Sequence, residues 1–116
     1  METLTLLSKN PIVIIVLFIM LVTKVFPPKN INSLYGYRTS NSMKNKQNWD
    51  FAQKYSTNLF LKILSLLLLV QIILYAIFGS TSFTNFSVFI GLILSVAIVL
   101  YQTEKKLKLN QSKTTE

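Results

Sequence analysis

The chain has no cysteine and no histidine, which excludes thiol and imidazole chemistry, disulfide bonds and the usual zinc ligand sets. Glycine and proline number three each, too few for a low-complexity or collagen-like chain. Acid is scarce. Four Asp and Glu stand against 12 Lys and Arg in 116 residues, a formal net charge of +8, and charged residues make up 14% of the total where soluble domains carry about 25%. The deficit is also local: from Ile63 through Thr103 there is no Asp, Glu, Lys or Arg. A soluble domain of this length needs charged surface somewhere in such a stretch, so the gap argues for a surface that faces lipid.

The same scarcity argues against an enzyme. Glu2, Glu104 and Glu116 lie near the ends and leave Asp50 without a carboxylate partner for acid–base work. The many Ser and Thr residues have no His as a base, and no glycine-rich phosphate loop is present. No enzymatic activity, metal site or cofactor is expected.

What is present is apolar sequence in three runs. A hydrocarbon core of about 30 Å takes about 20 helical residues to cross. The first run, Ile12 to Val22, is closed by Lys24 and reaches that length with Leu4, Leu6 and Leu7 before it and Val25 and Phe26 after it. Asn10-Pro11 reads as a cap followed by Pro at the first helical position, so the helix starts or kinks there. The second run, Leu59 to Phe78, carries Lys62 near its beginning and one amide, Gln71. Gly79-Ser80-Thr81-Ser82 breaks the pattern, and the third run extends from Phe86 or Ser87 to Tyr101. A secretory leader is a poor reading of the first run, which lacks a basic segment before it and a small-residue cleavage site after it. The pattern predicts an all-α integral membrane protein with three transmembrane helices, over about 4–26, 57–78 and 86–103.

Lysine and arginine near short loops stay on the cytoplasmic side. Lys24, Lys29, Arg38, Lys44, Lys46, Lys54 and Lys62 lie between the first two runs, and Lys105, Lys106, Lys108 and Lys113 follow the third. With three helices both basic segments fall on one side. This predicts a multi-pass protein of the bacterial cytoplasmic (inner) membrane, with the N-terminus outside and the C-terminus in the cytosol. Attraction to anionic lipid accounts for most of the basic charge, and nucleic acid is not an expected partner.

The segment between the first two runs is polar and patterned. Pro27-Pro28 ends the first helix, and Tyr35-Gly36-Tyr37-Arg38-Thr39 places a glycine between two rings where a turn is allowed. From Asn41 or Ser42 a short amphipathic helix is predicted, lying at the membrane interface with Met43, Trp49, Phe51, Ala52 and Tyr55 as its apolar side chains. The loop and this interfacial helix occupy 27–56. Residues 1–103 form the membrane domain, and 104–116 a basic tail expected to be disordered.

Tyr35-Gly36-Tyr37-Arg38-Thr39, then Ser42-Met43-Lys44, then Asn48-Trp49-Asp50-Phe51-Ala52, with Pro28 upstream, resembles the signature of the SdpI-like membrane proteins. These are bacterial immunity proteins against sporulation-delaying-type peptide toxins, and their small relatives. The patterned likeness covers about Pro27 to Ser56, and residue 40 is Ser where the family often has Pro. The resemblance implies immunity or resistance to a membrane-active peptide, by binding it or by protecting its target. Two alternatives are a scaffold that holds a soluble regulator through the basic loop and a small oligomeric transporter subunit.

Within the signature, Arg38 should pair with Asp50, a carbonyl cluster or a lipid phosphate, with Asp50 the favoured partner. Trp49 is expected to anchor the loop or the interface. In the spans, Ser87, Gly91 and Ser95 form a small-residue ridge for close approach of the first or second helix, or of another copy in a homo-oligomer. Gln71 should bond to Ser65, Ser95 or a second Gln71. The absence of an acidic residue from every span argues against a proton-coupled transporter.

Overall fold

The computed structural model describes the backbone of residues 9–115 and the side chains of residues 9–109. Its helices are α1 (Ile12–Val25), α2 (Lys46–Phe78) and α3 (Ser82–Thr115). Pro11 precedes the first helical residue, and its carbonyl accepts the first helical bond, from Ile15 N–H at 2.9 Å. Pro27-Pro28 follows directly on the last turn, where neither ring nitrogen can donate. α2 begins where the Asn45 side chain accepts a hydrogen bond from Asn48 N–H at 2.7 Å, and it ends at Gly79, whose φ of 74° lets its N–H close on the Tyr75 carbonyl at 3.0 Å. Thr81 and Thr84 then exchange side-chain-to-backbone bonds of 3.0 and 3.2 Å at the head of α3, in the reciprocal manner of a capping box.

Two of the sequence expectations change here. The short interfacial helix from Asn41 or Ser42 is not a separate element: residues 40–43 form a turn, and Trp49, Phe51, Ala52 and Tyr55 occupy the first three turns of α2. The cause is local, since Asn45 supplies the cap and no Gly or Pro interrupts the chain before Gly79. The first span drawn at about 4–26 falls partly on residues 1–8, outside the described residues. Within them α1 has 14 residues, about 21 Å at the helical rise and short of the hydrocarbon core. Two described helices are long and apolar enough to cross a membrane, α2 and the Ser82–Leu109 part of α3.

α2 and α3 are antiparallel and joined by a three-residue turn. α2, at 33 residues, is about 50 Å long, well beyond what the hydrocarbon needs. The polar first turns of α2 and the polar last turns of α3 therefore stand together at the end of the molecule that carries the loop. α1 and α3 each pack on α2 and hardly on each other. α3 continues past residue 103, where the sequence placed the start of a tail, because its buried side chains recur every four residues through Ser95, Val99, Thr103 and Leu107.

The packing is inverted relative to a water-soluble bundle. Ten buried polar side chains stand beside nine buried apolar ones, Pro28 included, among the described residues, while Phe18, Leu66, Ile77, Phe83 and Phe86 are each more than 60% exposed. Such a surface requires an apolar solvent. Close approach of the helices comes from small residues: a Cβ on Gly91 would stand 2.8 Å from Cδ1 of Leu67. The ridge on α3 is thus occupied at Gly91 by α2 of the same chain, while Ser95 turns its hydroxyl back to the Gly91 carbonyl at 2.7 Å.

Candidate functional site

The loop between α1 and α2 is built onto the first turns of α2. Trp49, Ala52, Gln53 and Ser56 lie at i, i+3, i+4 and i+7, one face of the helix, and all four are buried. The Trp49 ring, with no exposed surface, donates from Nε1 to the Pro28 carbonyl at 2.7 Å and so ties the end of α1 to the start of α2. One turn on, the Gln53 amide behaves like a neighbouring strand. Its Oε1 accepts from Tyr37 N–H and its Nε2 donates to the Tyr37 carbonyl, each at 2.7 Å.

Gly36 makes that pairing possible. Its φ of +102° is a region that L side chains rarely enter, and a Cβ there would stand 2.6 Å from Gln53 Oε1 and 2.7 Å from Pro28 Cγ. Before it, Asn32 Oδ1 accepts from the N–H groups of Leu34 and Tyr35 at 2.9 and 2.7 Å, and the Tyr35 hydroxyl returns to the Phe26 carbonyl. After it, Ser42 is fully buried. Its Oγ accepts from Thr39 N–H at 2.8 Å, while the Thr39 Oγ1 accepts from Ser42 N–H at 3.2 Å.

The loop is also fastened to α3. Tyr37 Oη donates to Glu104 Oε1 at 3.0 Å, and Asn41 Nδ2 donates to Glu104 Oε2 at 2.8 Å. Burial pushes the Tyr37 phenol above its ordinary pKa, and the Glu104 carboxylate beside it adds to the shift, so the phenol remains a proton donor. Asn48 Nδ2 completes the frame by donating to the Asn41 carbonyl at 2.9 Å.

Most of the signature residues meet in this frame, but one expected pair does not. Arg38 is exposed and donates from Nε to the Asn32 carbonyl at 3.1 Å, which is one of its expected kinds of partner. Asp50 bonds instead to Lys46 Nζ at 2.7 Å, a residue one turn away on the same helix. The Gly36 turn folds Arg38 back toward Asn32, whereas Asp50 projects from the exposed face of α2, so the two are presented to different neighbours. Phe51 stacks on Tyr55 with ring centroids 5.5 Å apart. Met43 is half-buried, and Pro28 and Ala52 are buried.

Gln53, Asn41, Asn32 and Glu104 were missed in the sequence. The available signal was the helical spacing of Gln53 from Trp49. Glu104 had none, since it is brought in from a segment 67 residues beyond Tyr37.

Under the loop lies an apolar cleft of about 340 Å³. Met20 of α1, Phe60 of α2 and Val96, Val99 and Leu100 of α3 form its walls, and Leu34 to Tyr37 form its roof. Since α1 and α3 hardly touch, the cleft opens between them. At the other end of the bundle a second polar group joins all three helices. Asn10 Nδ2 donates to Tyr75 Oη at 3.1 Å and to Asn85 Oδ1 at 3.3 Å, and Gln71 Nε2 donates to the Asn10 carbonyl at 3.2 Å. Gln71 therefore finds the start of α1, where Ser65, Ser95 or a second Gln71 had been expected. Ser65 and Ser95 are engaged with carbonyls of their own helices.

The site offers amides, hydroxyls, one carboxylate and one guanidinium around an apolar cleft, and its hydroxyls are engaged in holding the loop. The model of the SdpI/YfhL protein family matches residues 29–102, from the loop to the end of the apolar part of α3. The chain is 43% identical over 86 residues to the uncharacterized protein YfhL of Bacillus subtilis (strain 168), an alignment that covers 74% of this chain and 73% of that protein. No solved structure matches. A match that begins in the signature loop and spans both long apolar helices, together with a relative of this identity and coverage, places the chain in the SdpI/YfhL family of small membrane proteins.

Proposed function

We propose that this protein protects a bacterial cell against a membrane-active peptide by binding an apolar part of the peptide in the cleft under the signature loop. The observation that supports the reading most is the construction of the roof. Leu34 and Tyr35 are held by Asn32, and Tyr37 by Gln53 and Glu104, so a ligand entering between α1 and α3 would meet a preorganised surface. The cleft is reached from the lipid phase, where a membrane-active peptide is concentrated.

The test is protection of a sensitive host challenged with peptide. The intact protein is expected to raise the inhibitory concentration. Val96→Trp, which narrows the cleft, should return it toward that of the unprotected host, a loss of about tenfold, which corresponds to about 1.4 kcal/mol of binding. Ile93→Trp, on an exposed position outside the cleft, should leave protection intact at equal membrane abundance. Truncation after Leu109 keeps Glu104 and Leu107 and should also preserve protection. If the intact, membrane-localised protein gives no protection, the reading fails; if only the truncation abolishes it, the scaffold reading is favoured.

The proposed orientation puts the loop and the end of α3 in the cytosol. The chain has no native cysteine, so single substitutions report cleanly. Ser80→Cys is expected to react with an impermeant maleimide in intact cells, and Lys106→Cys only after permeabilisation. The opposite pattern would reverse the topology.

A further inference from the structure

The cleft leaves unexplained a cationic groove on another part of the α1–α2 packing. Lys46, Asp50, Lys54, Asn58 and Lys62 follow one another at four-residue intervals, a single row along α2. Lys24 from the end of α1 and Lys29 from the loop face the upper part of this row across a cavity of about 440 Å³. Lys24 and Asn58 also line the space below it, which continues to Leu61, Lys62 and Ser65. Five lysines and one aspartate thus border a continuous path with a net charge of +4. Among the described residues the salt bridge is Lys46 with Asp50, which leaves Lys24, Lys29, Lys54 and Lys62 without a carboxylate.

We propose that this groove is a binding site for a lipid whose headgroup carries two phosphates. Three features select that occupant. The two spaces adjoin and share Lys24 and Asn58 in their lining, so cationic groups stand at two neighbouring levels of the path, more than one phosphate occupies. A single phosphodiester would neutralise one charge of four, whereas two phosphates joined by a short linker neutralise two, one beside the lysines of the upper cavity and the other beside Lys24 and Lys62 in the adjoining space. The lower end reaches Leu61 and Ser65, where the charge-free stretch of the chain begins, so acyl chains would pass directly from the phosphates into the apolar layer. A soluble anion would make no use of that end. Thr23 and Thr57 border both the groove and the apolar cleft, but none of the groove's lysines lines the apolar cleft, so their substitution tests the site separately from peptide binding.

The experiment uses the full chain in nanodiscs. Binding of cardiolipin, with two phosphates, is compared with phosphatidylglycerol at equal total phosphate, and with inorganic pyrophosphate as the lipid-free anion of two phosphates. Cardiolipin is expected to bind about tenfold more tightly than phosphatidylglycerol. Lys24→Gln with Lys54→Gln should lower cardiolipin affinity by about thirtyfold, on the scale expected for two lysines near a membrane surface. Lys105→Gln with Lys106→Gln removes the same charge from α3 and should leave that affinity within about twofold, since distant exposed charges are screened. All four lysines are exposed, and unchanged thermal unfolding of both variants is the check on folding. Equal binding of the two lipids, equal loss in the α3 variant, or pyrophosphate binding as tight as cardiolipin would each overturn the assignment.

Discussion

Gly36→Ala is expected to release the signature loop from α2 while leaving the helices in place. The left-handed backbone costs a residue with a Cβ about 1–2 kcal/mol. The new methyl must also displace the Gln53 amide or the Pro28 ring, which would stand 2.6 and 2.7 Å away. Overpacking of that kind costs about 1–3 kcal/mol, a large share of the total stability of a small domain. Gly79→Ala is the matched control: φ is positive there too, at 74°, but a Cβ meets nothing within 4 Å, so only the backbone cost of about 1–3 kcal/mol applies. Trp49 is the sole tryptophan and is buried beside this junction, so its emission reads the event directly. Gly36→Ala should shift the emission to the red and open the loop to trypsin at Arg38 and Lys44. Identical behaviour of the two variants would show that the close approach of Gly36 to Gln53 and Pro28 does not matter.

The second large effect is expected at Trp49. Truncation to alanine removes the largest fully buried side chain and opens a cavity where α1, the loop and α2 meet, for a loss of about 3–5 kcal/mol. Phenylalanine keeps most of the volume but leaves the Pro28 carbonyl without its 2.7 Å donor. An unsatisfied buried acceptor costs about 1–3 kcal/mol, so the expected order of stability is wild type, Trp49→Phe, Trp49→Ala. Helical circular dichroism followed through thermal unfolding in detergent gives the order. A Trp49→Phe protein as unstable as Trp49→Ala would assign the effect to the indole hydrogen bond, and one as stable as wild type would assign it to packing alone.

The reading of the loop from the sequence succeeded where the residue type already dictates the backbone. Pro27-Pro28 had to end α1, and Gly36 between two tyrosines had to mark a turn. Trp49, expected to anchor the loop or the interface, is buried and donates to the Pro28 carbonyl. The Arg38–Asp50 pair failed because opposite charge was the criterion and the geometry was unknown: Asp50 has Lys46 one turn away, and Arg38 is turned toward the Asn32 carbonyl. The separate interfacial helix failed for a related reason. Only apolar residues were sought as the buried face of 46–58, whereas the buried face includes Asn48, Gln53, Ser56 and Thr57. In a protein whose outer solvent is lipid, the familiar rule that the apolar face turns inward loses its force.

Sequence alone determined the class of molecule. A charge-free stretch from Ile63 to Thr103, broken near its middle by Gly79, specifies two long apolar helices, and the absence of Cys and His excludes thiol and imidazole chemistry. It also marked the loop that carries the family signature. Tertiary structure alone decided how that loop is held, because Gln53 reaches Tyr37 only when the loop folds back on α2, and Glu104 reaches both Tyr37 and Asn41 only after α2 and α3 have paired. It likewise decided which lysines share a groove and that Gln71 meets Asn10 at the start of α1. Helical spacing is a local property that can be counted along the chain. Partners 61 to 67 residues apart are set by the packing of whole helices, which no local pattern encodes.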